Sequence, residues 1–426
     1  ILEELKNKRD HFLIFWYLGH SFFRVHNYNS AVNCIKKSIE LKKPDHLNLN
    51  FLAEIYHKIN RHDESIKLFK EALALDKKNL VTLFNLANIY LELGKLNLGE
   101  KYLIEVINSE PTNFRAWYEL IQINDKYLTH DLLKKVENFV NQPSDNNLNY
   151  IYSKLIIAEN FKREKNYSAE LENLLDAHNI YSNIKDKAGR QEFNYFTNLL
   201  PKFISKIKND NLQLNCKLKP IFIMGLPRSG TTLIEYIISS APNIIPGGET
   251  EVLSKVFFSE KIIFDYNAKN LITNFRFKKK DFEKLKILIL NQYSQLGIDT
   301  SNKYFTDKSL ENFLYIELIQ KIFPKAKFVY CKRNKQANFL GILKVFLPNL
   351  LWTHSTNKII EMMNLYEKKI KKIMNDKKIK IKIIELEDFS ENPKKISKDL
   401  FNFLDIDLRD DLDFMGKKNN EKKIIK

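Results

Sequence analysis

The stretch IFIMGLPRSGTTLIEYI, Ile221 to Ile237, sets two glycines, an arginine and three hydroxyl side chains between an apolar β-branched run and an amphipathic helical pattern. Gly225 closes the run, four residues intervene, and Gly230 follows. This is the frame of a phosphate-binding loop, in which the backbone N–H groups of a glycine-bearing turn and a helix N-terminus surround an anion. A triphosphate-binding loop follows its second glycine with Lys and then Ser or Thr. Here those positions hold Thr231 and Thr232. The absent lysine is the group that reaches the β- and γ-phosphates, and its hydroxyl neighbour holds magnesium. A loop without it suits a nucleotide with a shorter phosphate tail and no required metal. Arg228 supplies a fixed cationic fork, Gly230 the close approach of backbone, and Ser229, Thr231 and Thr232 donors. The alternative, a tight turn with incidental polar residues, leaves the strand–loop–helix context unexplained.

The elements around this loop alternate. KPIFIMGL reads as a short buried strand bounded by Pro220, and TTLIEYIISS as a helix whose N-terminus serves the loop. AKFVYCKR is a second apolar strand ending in Lys332 and Arg333; IKIKIIELEDF reads as a third, with NPKKISKDLFNFLDI a helix behind it. Strands alternating with helices predict a mostly parallel sheet flanked by helices. Ligands of such sheets bind at the carboxyl ends of strands, where Gly225–Thr232 and Lys332–Arg333 both fall.

The first half of the chain repeats at a spacing of about 34 residues. Gly19, Ala53 and Ala87 fall in step, as do Phe22, Tyr56 and Tyr90; then Ala31, Ser65 and Gly99; Ile35, Phe69 and Leu103; and Ser38, Ala72 and Val106. Small residues recur where two helices approach closely, and large apolar ones where a neighbour's groove is filled. The pattern resembles the tetratricopeptide repeat, and Pro111 stands where that motif has its closing proline. A further copy keeps the spacing through Ala158, Phe161, Leu174 and Ala177, after a degenerate segment (121–147) that contains the loop NQPSDNN. Residues 1–200 therefore read as a helical solenoid. Its role stays open between a concave surface for a peptide, partner or substrate and a scaffold or dimerisation arm.

A chain of 426 residues, 44% hydrophobic and 12% aromatic, has enough apolar content for two or three globular domains. No apolar run approaches the roughly 18 residues of a membrane span. Three cysteines far apart, Cys34, Cys216 and Cys331, with no CxxC pair, argue against a disulfide framework or zinc site and fit a reducing cytoplasm. The net charge of +17 is carried mostly by lysine. It has two readings: a polyanion partner, or lysine-for-arginine drift in an AT-rich genome where Asn and Ile are also abundant. The lysines are spread along the chain, so no nucleic-acid partner is expected. No signal peptide is visible. The start at Ile1 and the end at GKKNNEKKIIK point to an incomplete chain.

The motif PRSGTTL resembles the 5′-phosphosulfate loop of sulfotransferases that use 3′-phosphoadenosine 5′-phosphosulfate (PAPS). The likeness is to tyrosylprotein sulfotransferases and to bacterial sulfotransferases with N-terminal tetratricopeptide repeats. It implies a 5′-phosphosulfate held by Arg228, Ser229, Gly230, Thr231 and Thr232, with Arg228 among the catalytic residues. It implies an α plus α/β fold: an all-α tetratricopeptide solenoid (1–200), then a P-loop-like α/β sulfotransferase domain with a mostly parallel sheet (215–426). APNIIPGGETEVL matches the stretch that carries the family's catalytic glutamate, here Glu249, with Glu251 the local rival. The absence of histidine between His178 and His354 also favours a carboxylate base. FTDKSLENFLYI resembles the segment whose lysine, here Lys308, steadies the leaving oxygen, although Leu310 stands where the family usually has proline. Arg333 falls on the arginine that binds the 3′-phosphate. Eight residues on, the family's serine is Gly341 here, and Lys332 or Lys335 would have to compensate. A closing segment over the 3′-phosphoadenosine is expected just where the chain ends.

These features predict sulfuryl transfer from PAPS to an acceptor hydroxyl, without metal, on a protein tyrosine, a glycan or a small alcohol. Two alternatives stay open. One is a non-catalytic repeat adaptor with a decayed sulfotransferase domain, favoured by Gly341. The other is a P-loop kinase, opposed by Thr231.

Overall fold

The computed structural model describes residues 11–141, 148–206, 214–259, 279–300, 304–376 and 379–407. The chain divides into two compact units, Ile1–Ile184 and Lys185–Lys426.

The first unit is all-helical: α1 (His11–Arg24), α2 (Tyr28–Leu41), α3 (His46–Lys58), α4 (His62–Leu75), α5 (Leu80–Glu92), α6 (Leu96–Ser109), α7 (Phe114–Ile123), α8 (His130–Val140), α9 (Leu148–Arg163) and α10 (Tyr167–Ile184). The in-step residues are its core, with Ile35, Ala53, Ala87 and Leu103 at 0% exposure and Phe69 at 1%. Gly19 packs directly on Ile35, and Gly99 on Leu91, so neither has room for a methyl group. The period governs backbone as well as packing. Asp45, Asn79 and Asn113 recur in step, and each side chain accepts the N–H three residues on, capping α3, α5 and α7. His26, Asn60 and Gly94 recur likewise, all with positive φ, where each helix pair turns. In the segment read as degenerate, the end of α7, a 3-10 turn (Asp125–Tyr127) and α8 carry the chain on, with Leu132 and Val136 buried. Residues 142–147 of the NQPSDNN loop lie outside the described residues.

The second unit carries α11 (Asp186–Asn194), α12 (Leu200–Lys206), β1 (Ile221–Met224), α13 (Thr231–Ser239), β2 (Ile244–Ile245), α14 (Val252–Ser259), α15 (Lys279–Gln295) and β3 (Tyr304–Asp307). It continues with α16 (Asn312–Ile322), β4 (Lys327–Lys332), α17 (Lys335–Leu343), α18 (Thr356–Met374), β5 (Ile381–Glu385), α19 (Leu386–Glu391) and α20 (Pro393–Leu404). The strands form one sheet in the order β2-β3-β1-β4-β5, and every pairing is parallel. Central β1 is buried along its whole length, as a strand covered on both faces requires. Ile221 and Ile223 face the cluster containing Ile234, Ile237, Ile238, Leu400 and Phe401. Phe222 lies against Phe323 and Phe328.

Two strands escape the periodicity. β2 has two residues and β3 four, too few to show alternation. The run IKIKIIELEDF is not one strand. It pairs only to Glu385 and then turns helical at Leu386, with Glu387 and Asp388 in the favourable first turn. The stretch GKKNNEKKIIK, where the closing segment is expected to begin, lies outside the described residues.

Candidate active site

The carboxyl edge of the sheet gathers residues from four segments. After β1, the chain enters the loop through Gly225, where a Cβ would lie 2.7 Å from the Cys331 carbonyl oxygen and 2.9 Å from Thr231 Cγ2. Only glycine fits beneath the turn. Arg228 (φ 68) and Gly230 (φ 91) take left-handed conformations, and Gly230 caps α13 with no side-chain acceptor on the helix N–H groups. Helix N–H groups without a capping side chain suit an anionic ligand. Ser229 is 2% exposed, and its Oγ has no hydrogen-bond partner among the described residues. A buried orphan hydroxyl in a loop of this shape fits an anion.

Across the loop, Arg333 Nη1 donates to the Arg228 carbonyl oxygen at 3.0 Å. Asn338, 3% exposed, donates its amide to the Pro227 carbonyl oxygen at 2.8 Å. Burial, then the Arg333 charge, pull the Arg228 pKa below its ordinary value. Two like charges this close are relieved by an anion between them. Gly341 lies against both arginines: a Cβ there would stand 3.2 Å from Arg333 Nη1 and 3.3 Å from Arg228 Cβ. The missing serine thus coincides with the space the arginine pair uses. Lys332 and Lys335 line the same crevice as Arg333, where Lys332 pairs with Glu385 at 2.7 Å and Lys335 donates to Asn364 Oδ1 at 2.8 Å.

A pocket of about 310 Å³ opens between the ends of β1 and β4, lined by Leu226, Ser229, Arg333, Asn338, Met363 and Glu387 among others. The outgoing connections of β1 and β4 lead to opposite edges of the sheet, which makes this crevice a topological switch point.

On the other side of β1 stand Glu249 and Lys308. Lys308 follows β3 directly, and its Nζ bonds Glu249 Oε1 at 2.7 Å; the Lys308 side chain is 11% exposed, that of Glu249 70%. Lys308 N–H also donates to the Gly248 carbonyl oxygen at 2.9 Å. Glu251, the rival acid, instead pairs with Lys255 at 3.4 Å. Behind them Asp307, 0% exposed, accepts from Thr250 Oγ1 (2.7 Å), Tyr293 OH (2.5 Å), Ser309 Oγ (2.6 Å) and Asn312 Nδ2 (2.8 Å).

The structure therefore brings Arg228 to Arg333 and Glu249 to Lys308, and lines the loop's mouth with Ser229, Gly230 and the start of α13. Sequence reasoning missed Asp307, Asn338 and Glu235. Asp307 sits beside Lys308 in FTDKS, and Glu235 is a lone acid inside the apolar helix TTLIEYIISS. That isolation was the available signal. Among the described residues no group of three or more His, Cys, Asp or Glu could hold a metal ion, and no helix is long and apolar enough to cross a membrane.

Comparison with known proteins bears on these geometries. The Sulfotransferase family model matches residues 220–410, and the Tetratricopeptide repeat model matches 56–122. An uncharacterized protein of Aquifex aeolicus (strain VF5) is 23% identical over 260 residues, 57% of this chain and 32% of the relative. The chain thus spans about a third of that relative's length. A crystal structure of MamA aligns with 42% of this chain and 95% of its own at 16% identity and a TM-score of 0.32. Sulfotransferase STF1 from Mycobacterium tuberculosis H37Rv aligns with 66% of this chain and 90% of its own at 11% identity and 0.31. Likenesses at these scores leave the assignment to the two family models. The chain carries tetratricopeptide repeats and, after them, a sulfotransferase-family domain.

Proposed function

We propose that the sulfotransferase-family domain moves a sulfuryl group from PAPS to an acceptor hydroxyl, with a protein tyrosine the first acceptor class to screen. The observation that carries this reading is the arrangement along the carboxyl edge. An anion-ready loop with an orphan Ser229 hydroxyl lies at β1, the Glu249–Lys308 pair on one side of it and Arg333 on the other. In this reading Arg228, Ser229, Gly230, Thr231, Thr232 and the α13 N-terminus hold the 5′-phosphosulfate, and Arg333 forks onto the 3′-phosphate. Glu249 accepts the proton of the acceptor hydroxyl as its oxygen bonds to sulfur. The bond from sulfur to the bridging oxygen breaks in the same displacement, and Lys308 stabilises the charge that collects there. Fixed cations and amides then supply most of the rate enhancement, with little covalent work for the protein. No metal has a part in this scheme. A cytoplasmic location and a protein partner on the repeats belong to the same reading.

Calorimetric titration with 3′-phosphoadenosine 5′-phosphate (PAP) in EDTA tests it. Metal-independent binding is expected, weakened about 10- to 100-fold by Arg228→Ala, the worth of a charged hydrogen-bonding group. ATP binding that requires magnesium would replace this reading with a kinase. Absence of PAP binding in the full-length protein would replace it with a repeat adaptor, the reading that Gly341 favours.

A further inference from the structure

Glu235 is a carboxylic acid where an apolar residue would cost nothing to bury. It lies on α13 one turn beyond Thr231 and Thr232, 7% exposed, between Ile234 and the buried Ile237 and Ile238. Burying an ionisable group is costly unless its bonds are used, and here they converge on one turn. Glu235 Oε1 accepts the Gly248 N–H at 2.9 Å and the Thr306 hydroxyl at 2.7 Å. Thr306 Oγ1 in turn accepts the Gly247 N–H at 3.0 Å. The Gly248 carbonyl oxygen accepts from Lys308 N–H at 2.9 Å. Both peptides before Glu249 are thereby pinned, with Gly247 pressed against the Thr306 carbonyl and Gly248 at φ 70.

We infer that Glu235 is a positioning residue that fixes the Gly247–Gly248 turn and, through it, the Glu249–Lys308 pair relative to the phosphate loop. Glu235 and the loop-facing residues share one short helix. The helix that presents its N-terminus to the donor thus also sets where the base and the leaving-side lysine stand. Burial is the largest influence on the Glu235 carboxyl and raises its pKa; Lys308 and the bonds from Thr306 and Gly248 oppose it. This inference rests on the functional reading given above, because it assigns Glu235 its effect through Glu249 and Lys308.

The test compares Glu235→Ala with Glu235→Gln, an isostere that keeps an oxygen acceptor for Gly248 and Thr306. Three quantities are measured: PAP affinity, sulfate release from PAPS with water as acceptor, and the amide 1H–15N resonance of Gly248. Glu235→Ala is expected to lower kcat about 10- to 100-fold, the effect of a misplaced catalytic group. The KM for PAPS and the PAP affinity should stay within about threefold of the parent, since no donor contact is lost. Glu235→Gln should restore most of kcat, and the Gly248 resonance should move in the Ala variant and much less in Gln. An unchanged kcat in folded Glu235→Ala, a parallel loss of PAP affinity, or an unmoved Gly248 resonance would overturn the inference. If Glu235→Ala does not fold, Glu235→Asp, which withdraws the carboxylate by one methylene, is expected to show the same kcat loss. If the parent protein neither binds PAP nor releases sulfate, the functional reading fails instead, and the Gly248 resonance still judges the positioning role.

Discussion

The two units use hydrogen bonds differently. In the repeats the bonds that start the helices are local: Asp45, Asn79 and Asn113 each cap the helix that follows them, and the buried Asn50–Thr82 pair ties one copy to the next. In the sulfotransferase-family unit the decisive bonds join distant residues, Thr250 to Asp307 across 57 positions and Thr306 to Glu235 across 71. A local bond lost is one small deficit in a unit built of near-copies. A distant bond lost at a buried hub strands several partners at once. Loss of a single cap in the repeats should therefore cost less than loss of a hub at the carboxyl edge of the sheet.

Asp307→Ala should give the largest effect. It leaves the Thr250, Tyr293, Ser309 and Asn312 donors without their buried acceptor, at about 4 kcal/mol or more. Urea unfolding should show the loss in the second unit with the repeats' transition unmoved. Equal loss in both would break the comparison.

Glu311→Gln comes next. Burial, then the charges of Glu251 and Asp307, push the Glu311 carboxyl up to about 8, above its ordinary 4.5. The folded state thus keeps the proton that the unfolded chain releases. Its contribution to stability is undiminished below about pH 4.5, declines as pH rises toward 8 and is constant above. The Gln variant carries no such decline, so its advantage over the parent should grow from near zero at pH 5 to about 2–4 kcal/mol at pH 8. A gap that does not widen with pH would remove Glu311 from the account.

Asn79→Ala removes the α5 cap and should cost about 1 kcal/mol. Matching losses for Asp45→Ala and Asn113→Ala would confirm that the copies are equivalent. The smallest effect is a gain. Lys165 turns the last helix pair at φ 60, and Lys165→Gly should raise stability by about 0.5 kcal/mol net of what glycine costs in the unfolded chain. A loss there would mean the lysine side chain contributes packing.

Much of both units was legible in the sequence. The repeat declared itself because one packing solution recurs, so Ala53 and Ala87, or Tyr56 and Tyr90, advertise each other. The loop declared itself because Gly225 and Gly230 must both be small, one beneath a carbonyl and the other at positive φ. Strands β2 and β3 did not: β2 has two residues, and β3, YFTD, lacks the continuous apolar run that marks the equally short β1. Nor did the engagement of Lys332 and Lys335, which depends on where Glu385 and Asn364 arrive.

By itself the sequence determined what is written locally: helix caps, turn glycines, the strand–loop–helix frame and the apolar period. Each depends on residues within a turn or on regular recurrence. Only the tertiary structure decided that Asp307 is a hub, that Glu235 reaches the Gly248 turn, and that Arg333 lies on Arg228 where Gly341 leaves room. Those contacts join residues that share no spacing. Parallel crossovers bring strand ends together from dozens of positions apart, and the chemistry collects at that edge because the strands' carboxyl ends all point to it.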